Sequence, residues 1–66
     1  MKIIVNGEEK QFEEGTTLAE IIEKLGIADK VMAAAVNMEV VKKDNWPSFA
    51  PKEGDKIELL HFVGGG

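Results

Sequence analysis

The fold is decided by the stretch Thr17-Leu18-Ala19-Glu20-Ile21-Ile22-Glu23-Lys24-Leu25-Gly26. Its first four residues are typical of a capping box, in which the threonine oxygen accepts from the backbone amide three residues on and the glutamate reaches back. The large aliphatic residues that follow fall on one stripe at helical spacing. Gly26 can end the helix in a left-handed conformation. The stretch therefore predicts one helix whose apolar stripe packs on a core.

Two strands joined by a tight turn are predicted before this helix. Asn6-Gly7 is the strongest short signal for a two-residue hairpin turn, because both central residues need positive φ. The first strand would therefore fold back as a second one over about residues 8–12. Because side chains alternate along a strand, Ile3 and Val5 share one face and Ile4 lies on the other.

A second hairpin and an irregular segment are predicted after the helix. Residues 31–36 and 39–41 are assigned to strands, with Asn37-Met38 as the turn between them. Residues 42–45 are expected to form a solvated loop. Trp46 then brings a large apolar surface into a loop, and we interpret it as a plug that closes one end of the core.

The last strand, over residues 56–63, has an informative alternation. Ile57 and Leu59 fall on the face that would pack against the helix. Three apolar side chains would then share the opposite, open face of the sheet: Leu60, Phe62 and Ile4. Neighbouring apolar residues on an open face are typical of a partner surface, although a slightly apolar surface is also common. These three are the candidate docking residues.

Together these elements predict an α+β fold, a mixed sheet of four to five strands with one main helix packed on one face. The final strand is expected to pair with the first, because the middle of a small sheet holds its most apolar strands. With 66 residues there is room for one domain. We expect that domain over residues 1–63, followed by a flexible glycine tail over 64–66.

The composition excludes several chemistries. The chain has no cysteine, which excludes disulfides, thiolate metal sites and cysteine nucleophiles. A single strand histidine is more often structural, so His61 is given no catalytic role, and no metal site is expected. The net charge of −4, with eight lysines and no arginine, argues against a nucleic-acid partner. The longest apolar run, at 31–36, is too short to cross a membrane, so we expect a cytoplasmic protein.

The carboxylate of Gly66 is then the most distinctive chemical group of the chain. Gly64 and Gly65 carry no side chain and could act as a tether through a narrow channel. An extended chain spans at most about 3.6 Å per residue, so three glycines reach on the order of 10 Å beyond the fold. Taken alone, a terminal glycine run is usually a frayed end.

Short stretches spread from end to end carry a family resemblance. They are Asn6-Gly7, Gly15-Thr16-Thr17-Leu18, Ala35-Val36-Asn37, Glu39-Val40-Val41, Trp46, Gly54-Asp55-Lys56-Ile57-Glu58-Leu59 and Gly65-Gly66. In this combination the chain resembles the ThiS family, the ubiquitin-like sulfur carriers of thiamine biosynthesis. It departs from relatives at Lys42-Lys43, where Pro-Arg is frequent, and at Met38. The resemblance implies a ubiquitin-like β-grasp fold.

The resemblance also implies a mechanism centred on Gly66. An E1-like adenylating enzyme of the ThiF type would consume ATP to adenylate the Gly66 carboxylate, and a sulfur donor protein would then convert it to a thiocarboxylate. Thiazole synthase of the ThiG type would take that sulfur. The chain would be a carrier and not an enzyme, with no bound cofactor of its own.

Other functions stay open at this point. The small subunit of molybdopterin synthase uses the same tail for a different acceptor. A protein-conjugating ubiquitin-like modifier would share the terminus. A non-covalent β-grasp interaction module would carry the glycine tail incidentally, although the basic face expected of such a module is missing here.

Overall fold

A computed structural model describes residues 1–61 of the chain. Its elements in chain order are β1 (Lys2–Val5), β2 (Glu8–Gln11), the helix α1 (Leu18–Lys24), β3 (Val31–Val36), β4 (Glu39–Val41), a 3₁₀ helix (Lys43–Ser48) and β5 (Lys56–His61). The five strands of this part of the chain form one mixed sheet in the order β2-β1-β5-β3-β4. This confirms the α+β prediction. Phe62, Val63 and the tail at 64–66, for which a strand end and a flexible segment were predicted, lie outside the described residues.

The last strand occupies the centre of the sheet. It runs parallel to β1, with Ile57 opposite Val5, and antiparallel to β3, with Ile57 opposite Val36. The predicted pairing of the first and last strands is therefore confirmed. Because β5 has a neighbour on each side, its side chains can point only to the core face or to the open face of the sheet.

The capping box that begins α1 is formed as predicted. The Glu20 backbone N–H donates to Thr17 Oγ1 at 3.2 Å, and the Thr17 backbone N–H donates to Glu20 Oε1 at 2.9 Å. Gly26, with φ of +74°, follows the C-cap residue Leu25 and takes the left-handed conformation. The helix places three buried side chains in the core: Leu18, Ile21 and Ile22.

Both predicted hairpin turns have positive φ at their two central residues. The values are 48° and 84° at Asn6-Gly7 and 50° and 70° at Asn37-Met38. These are the signs that a two-residue turn needs to match the twist of its flanking strands. Met38 accepts this strained conformation with its side chain 92% exposed.

The sequence predicts a solvated loop over residues 42–45. The structure instead has a 3₁₀ helix over Lys43–Ser48. Trp46 is buried, and its indole N–H donates to the Val41 carbonyl at 2.9 Å. The predicted apolar plug is confirmed at this residue. Since the tryptophan must reach the core within a few residues of β4, the chain between them tightens into 3₁₀ turns, and the fixed φ of Pro47 is compatible with them.

The capping box predicts a pH dependence of stability. Hydrogen bonds from the Thr17 backbone and hydroxyl, with a smaller contribution from Lys24, hold the pKa of the Glu20 carboxyl below its usual range. A lowered pKa in the folded state means that the stabilisation is complete above the usual glutamate pKa. It is lost as the pH falls through the folded-state value.

We therefore compare wild type with Glu20→Gln, whose neutral amide oxygen can still accept from Thr17 at any pH. As the pH is lowered from 7 to 3, the free energy of unfolding of wild type should fall relative to that of Glu20→Gln. Urea unfolding at each pH measures it. A difference that stays constant over this range would contradict the assignment.

Candidate functional site

The alternation along β5 separates its core residues from its exposed ones. Ile57 and Leu59 are buried, whereas Leu60 is 60% exposed. The predicted faces of the strand are therefore confirmed, and Leu60 points away from α1. Among residues 1–61, the large apolar side chains that are exposed are Met32, Met38, Val40 and Leu60.

Leu60 borders a shallow apolar depression on the open face of the sheet. The depression is bounded by Leu60 and Val40 and floored by Ala33 and Ala35. Leu60 pairs with Ala33 across β5 and β3, and Val40 pairs with Ala35 across β4 and β3. Because alanine carries only a methyl group, the two larger side chains stand on either side of a hollow. We refer to these four residues as the apolar depression.

Ile4 lies on the same face but not beside Leu60. Its register partner on β5 is Lys56, four residues before Leu60. Four residues of strand span about 13 Å, so the two side chains are at different ends of the face. The structure therefore groups Leu60 with β3 and β4 residues. The docking roles of Leu60, Phe62 and Ile4 stay predictions, and Phe62 lies outside the described residues.

Two asparagine side chains hold β5 by its backbone. The Leu59 N–H donates to Asn6 Oδ1 at 2.7 Å, and Asn6 Nδ2 donates to the Leu59 carbonyl at 3.2 Å. At the other end of the strand, the Lys56 N–H donates to Asn37 Oδ1 at 3.0 Å, and Asn37 Nδ2 donates to Asp55 Oδ1 at 3.0 Å. Each asparagine is also the first residue of a hairpin turn.

Sequence reasoning assigned Asn6 and Asn37 to turns alone and missed these contacts. The type of residue carried the signal, because an asparagine carboxamide has the donor and acceptor of a peptide group. Only the pairing of β5 between β1 and β3 shows which backbone each carboxamide reaches.

Other kinds of site find no support in the part of the chain that the structure describes. Residues 1–61 contain no group of histidine, cysteine and carboxylate side chains that could hold a metal ion. They also contain no helix long and apolar enough to span a bilayer, since α1 has seven residues.

The sheet order with the last strand at its centre, together with one helix packed on the core face, defines a ubiquitin-like β-grasp protein. Comparison with known proteins gives the family. The model of the ThiS family matches residues 3–66. The sulfur carrier protein ThiS of Escherichia coli K12 is 30% identical, and the match covers the whole of both chains. The chain belongs to the ThiS family.

A solved structure and two longer proteins agree with this assignment. The crystal structure of the thiamine biosynthesis protein ThiS from Geobacter metallireducens superimposes with a TM-score of 0.77, at 28% identity, over the whole of both chains. Thiazole synthases of Paramagnetospirillum magneticum and Magnetococcus marinus match this chain over all of its 66 residues, at 36% and 41% identity. The chain spans only 20% of the length of each of these two proteins.

The two faces of β5 predict losses of stability of very different size for the same substitution. Leu59→Asp would bury a carboxylate and should lower the free energy of unfolding by more than about 3 kcal/mol, enough to unfold much of a small domain. Leu60→Asp should lower it by about 1 kcal/mol or less, because its side chain is in water and only strand propensity changes. Thermal melts of the two variants measure this. Similar losses at both positions would mean that the assigned faces are wrong.

Proposed function

We propose that this chain is the sulfur carrier for thiazole formation in thiamine biosynthesis and that the Gly66 carboxylate is the group that carries the sulfur. One observation carries the proposal. The family match runs from residue 3 to residue 66, so it includes both the β-grasp body and the terminal glycines. The E. coli carrier, which is matched over its whole length, supports it.

The proposed chemistry takes place on the backbone of the chain. A carboxylate is a poor electrophile, so an E1-like enzyme of the ThiF type would join the Gly66 carboxylate to the α-phosphate of ATP and release pyrophosphate. Sulfur at the sulfide level, supplied through a sulfur donor protein, then attacks the acyl carbon; a C–S bond forms, the bond to AMP breaks, AMP leaves, and a thiocarboxylate remains on Gly66. The acyl adenylate must be kept from water during this exchange. Gly64 and Gly65 are the tether that lets the carboxylate enter such a closed site.

Thiazole synthase of the ThiG type is the proposed acceptor of the sulfur. Two proteins named thiazole synthase contain a segment that matches this chain over all of its 66 residues. A carrier segment within a protein of that name brings donor and acceptor together in one polypeptide. This favours the thiazole pathway over the molybdopterin alternative.

The body of the domain would present the tail and dock it. Leu60 is exposed beside the apolar depression, at the end of β5 nearer to Gly66. We propose that Leu60 and Phe62 contact the partner enzymes near the point where the tail begins. Ile4 would contact them at the opposite end of the same face.

Conversion of Gly66 can be read directly by intact mass spectrometry. After incubation with ATP, a sulfur donor and the cognate activating enzyme, the chain should show one oxygen exchanged for sulfur at its C-terminus. The matched control is the variant that lacks Gly66, which retains the whole body and should stay unmodified. The proposal would be overturned by a full-length chain that stays unmodified, or by a Gly66 deletion that still supports thiazole formation.

Docking through the open face predicts a binding defect without unfolding. Leu60→Asp should weaken binding to the activating enzyme about tenfold, because it places a charge in an apolar contact. Met38→Asp is the matched control, since Met38 is exposed but lies outside the apolar depression. Isothermal titration calorimetry gives both affinities. Equal affinities for the two variants would remove Leu60 from the interface.

A further inference from the structure

The Asn6 carboxamide replaces a missing strand neighbour of β5. The regular pairing of β1 with β5 ends at Val5 opposite Ile57, and the Asn6 backbone N–H makes one more contact, to the Ile57 carbonyl at 2.9 Å. The chain then turns away into β2. Beyond this point the β1 side of β5 would present the N–H and carbonyl of Leu59 to no strand. The Asn6 side chain takes both of them.

This contact acts on the part of β5 that leads to Gly66. Leu59 lies seven residues before Gly66, whereas Lys56, held by Asn37, lies ten residues before it. Without the carboxamide, β5 would stay paired with β3 as far as His61, but the Leu59 N–H and carbonyl would lose their partners on the β1 side. A strand end that is held on one side opens locally more readily than one that is held on both.

We propose that Asn6 is a positioning residue for the activation of Gly66. It does not contact the reacting atoms. By completing the hydrogen bonding of Leu59, its carboxamide keeps the end of β5 ordered on its β1 side, so that a docked chain presents the Gly66 carboxylate to the nucleotide in one position. The inference rests on the proposed function, because it concerns the adenylation of that same carboxylate.

Asn37 supplies an internal control. It has nearly the same positive φ as Asn6, 50° against 48°, and its carboxamide also makes two hydrogen bonds to the segment around β5. Replacement of either residue by glycine removes the carboxamide and keeps a residue that tolerates positive φ. The two variants should therefore lose similar stability. Only Asn6→Gly changes the end of β5 that leads to the tail.

The experiment measures ATP-dependent pyrophosphate release by the cognate activating enzyme with the full-length chain as substrate. Asn6→Gly should lower kcat by about tenfold, as expected for the loss of a hydrogen bond that aligns the reacting group, with KM changed less than kcat. Asn37→Gly should keep the wild-type kcat. Asn6→Asp keeps the acceptor for the Leu59 N–H and loses the donor to the Leu59 carbonyl. Its kcat should therefore lie between those of Asn6→Gly and wild type.

Amide hydrogen exchange of the free chain gives a second readout. The Leu59 amide should exchange faster in Asn6→Gly, and the Lys56 amide should exchange faster in Asn37→Gly, with each variant leaving the other site protected. Equal loss of kcat in both glycine variants would assign Asn6 a general structural role and overturn the proposal. An unchanged kcat in Asn6→Gly would overturn it as well. If the wild-type chain itself releases no pyrophosphate, the proposed function fails and this inference fails with it.

Discussion

The burial of Ile57 and Leu59 at the centre of the sheet is the constraint on which the rest of the structure depends. Because β5 is paired on both sides, these two residues can be buried only if α1 covers that face. The same alternation forces Leu60 onto the open face. One strand therefore fixes where the core lies and which face of the sheet remains open.

Much of the fold could be predicted because its signals are local. The capping box at Thr17 and Glu20 and the hairpin turn at Asn6-Gly7 each depend on a few neighbouring residues. The faces of β5 follow from alternation alone. The identity of the family required the combination of stretches along the whole chain, since no single stretch is specific.

The features that the sequence did not predict all depend on register or on contacts between distant segments. Ile4 and Leu60 share a face by parity, but only the pairing of Ile4 with Lys56 shows how far apart they lie. The 3₁₀ helix at Lys43–Ser48 depends on the distance that Trp46 must cover to reach the core. The contact between Asn6 and Leu59 joins residues 53 positions apart, which no local pattern can show.

The end of β5 is held from both sides by different devices. On the β3 side a bulge lies between the pairs Ala33–Leu60 and Val31–His61, which returns Val31 to the core and keeps β3 paired with β5 as far as His61. On the β1 side the Asn6 carboxamide holds the backbone of Leu59 by hydrogen bonding. Gly66 is the fifth residue after His61, so their Cα atoms can be at most about 18 Å apart. Because this distance is short, the position of His61 at the end of β5 limits where Gly66 can lie. In the proposed function the chemistry lies on the backbone of Gly66, so the order of β5 up to His61 bears on how that carboxylate is presented.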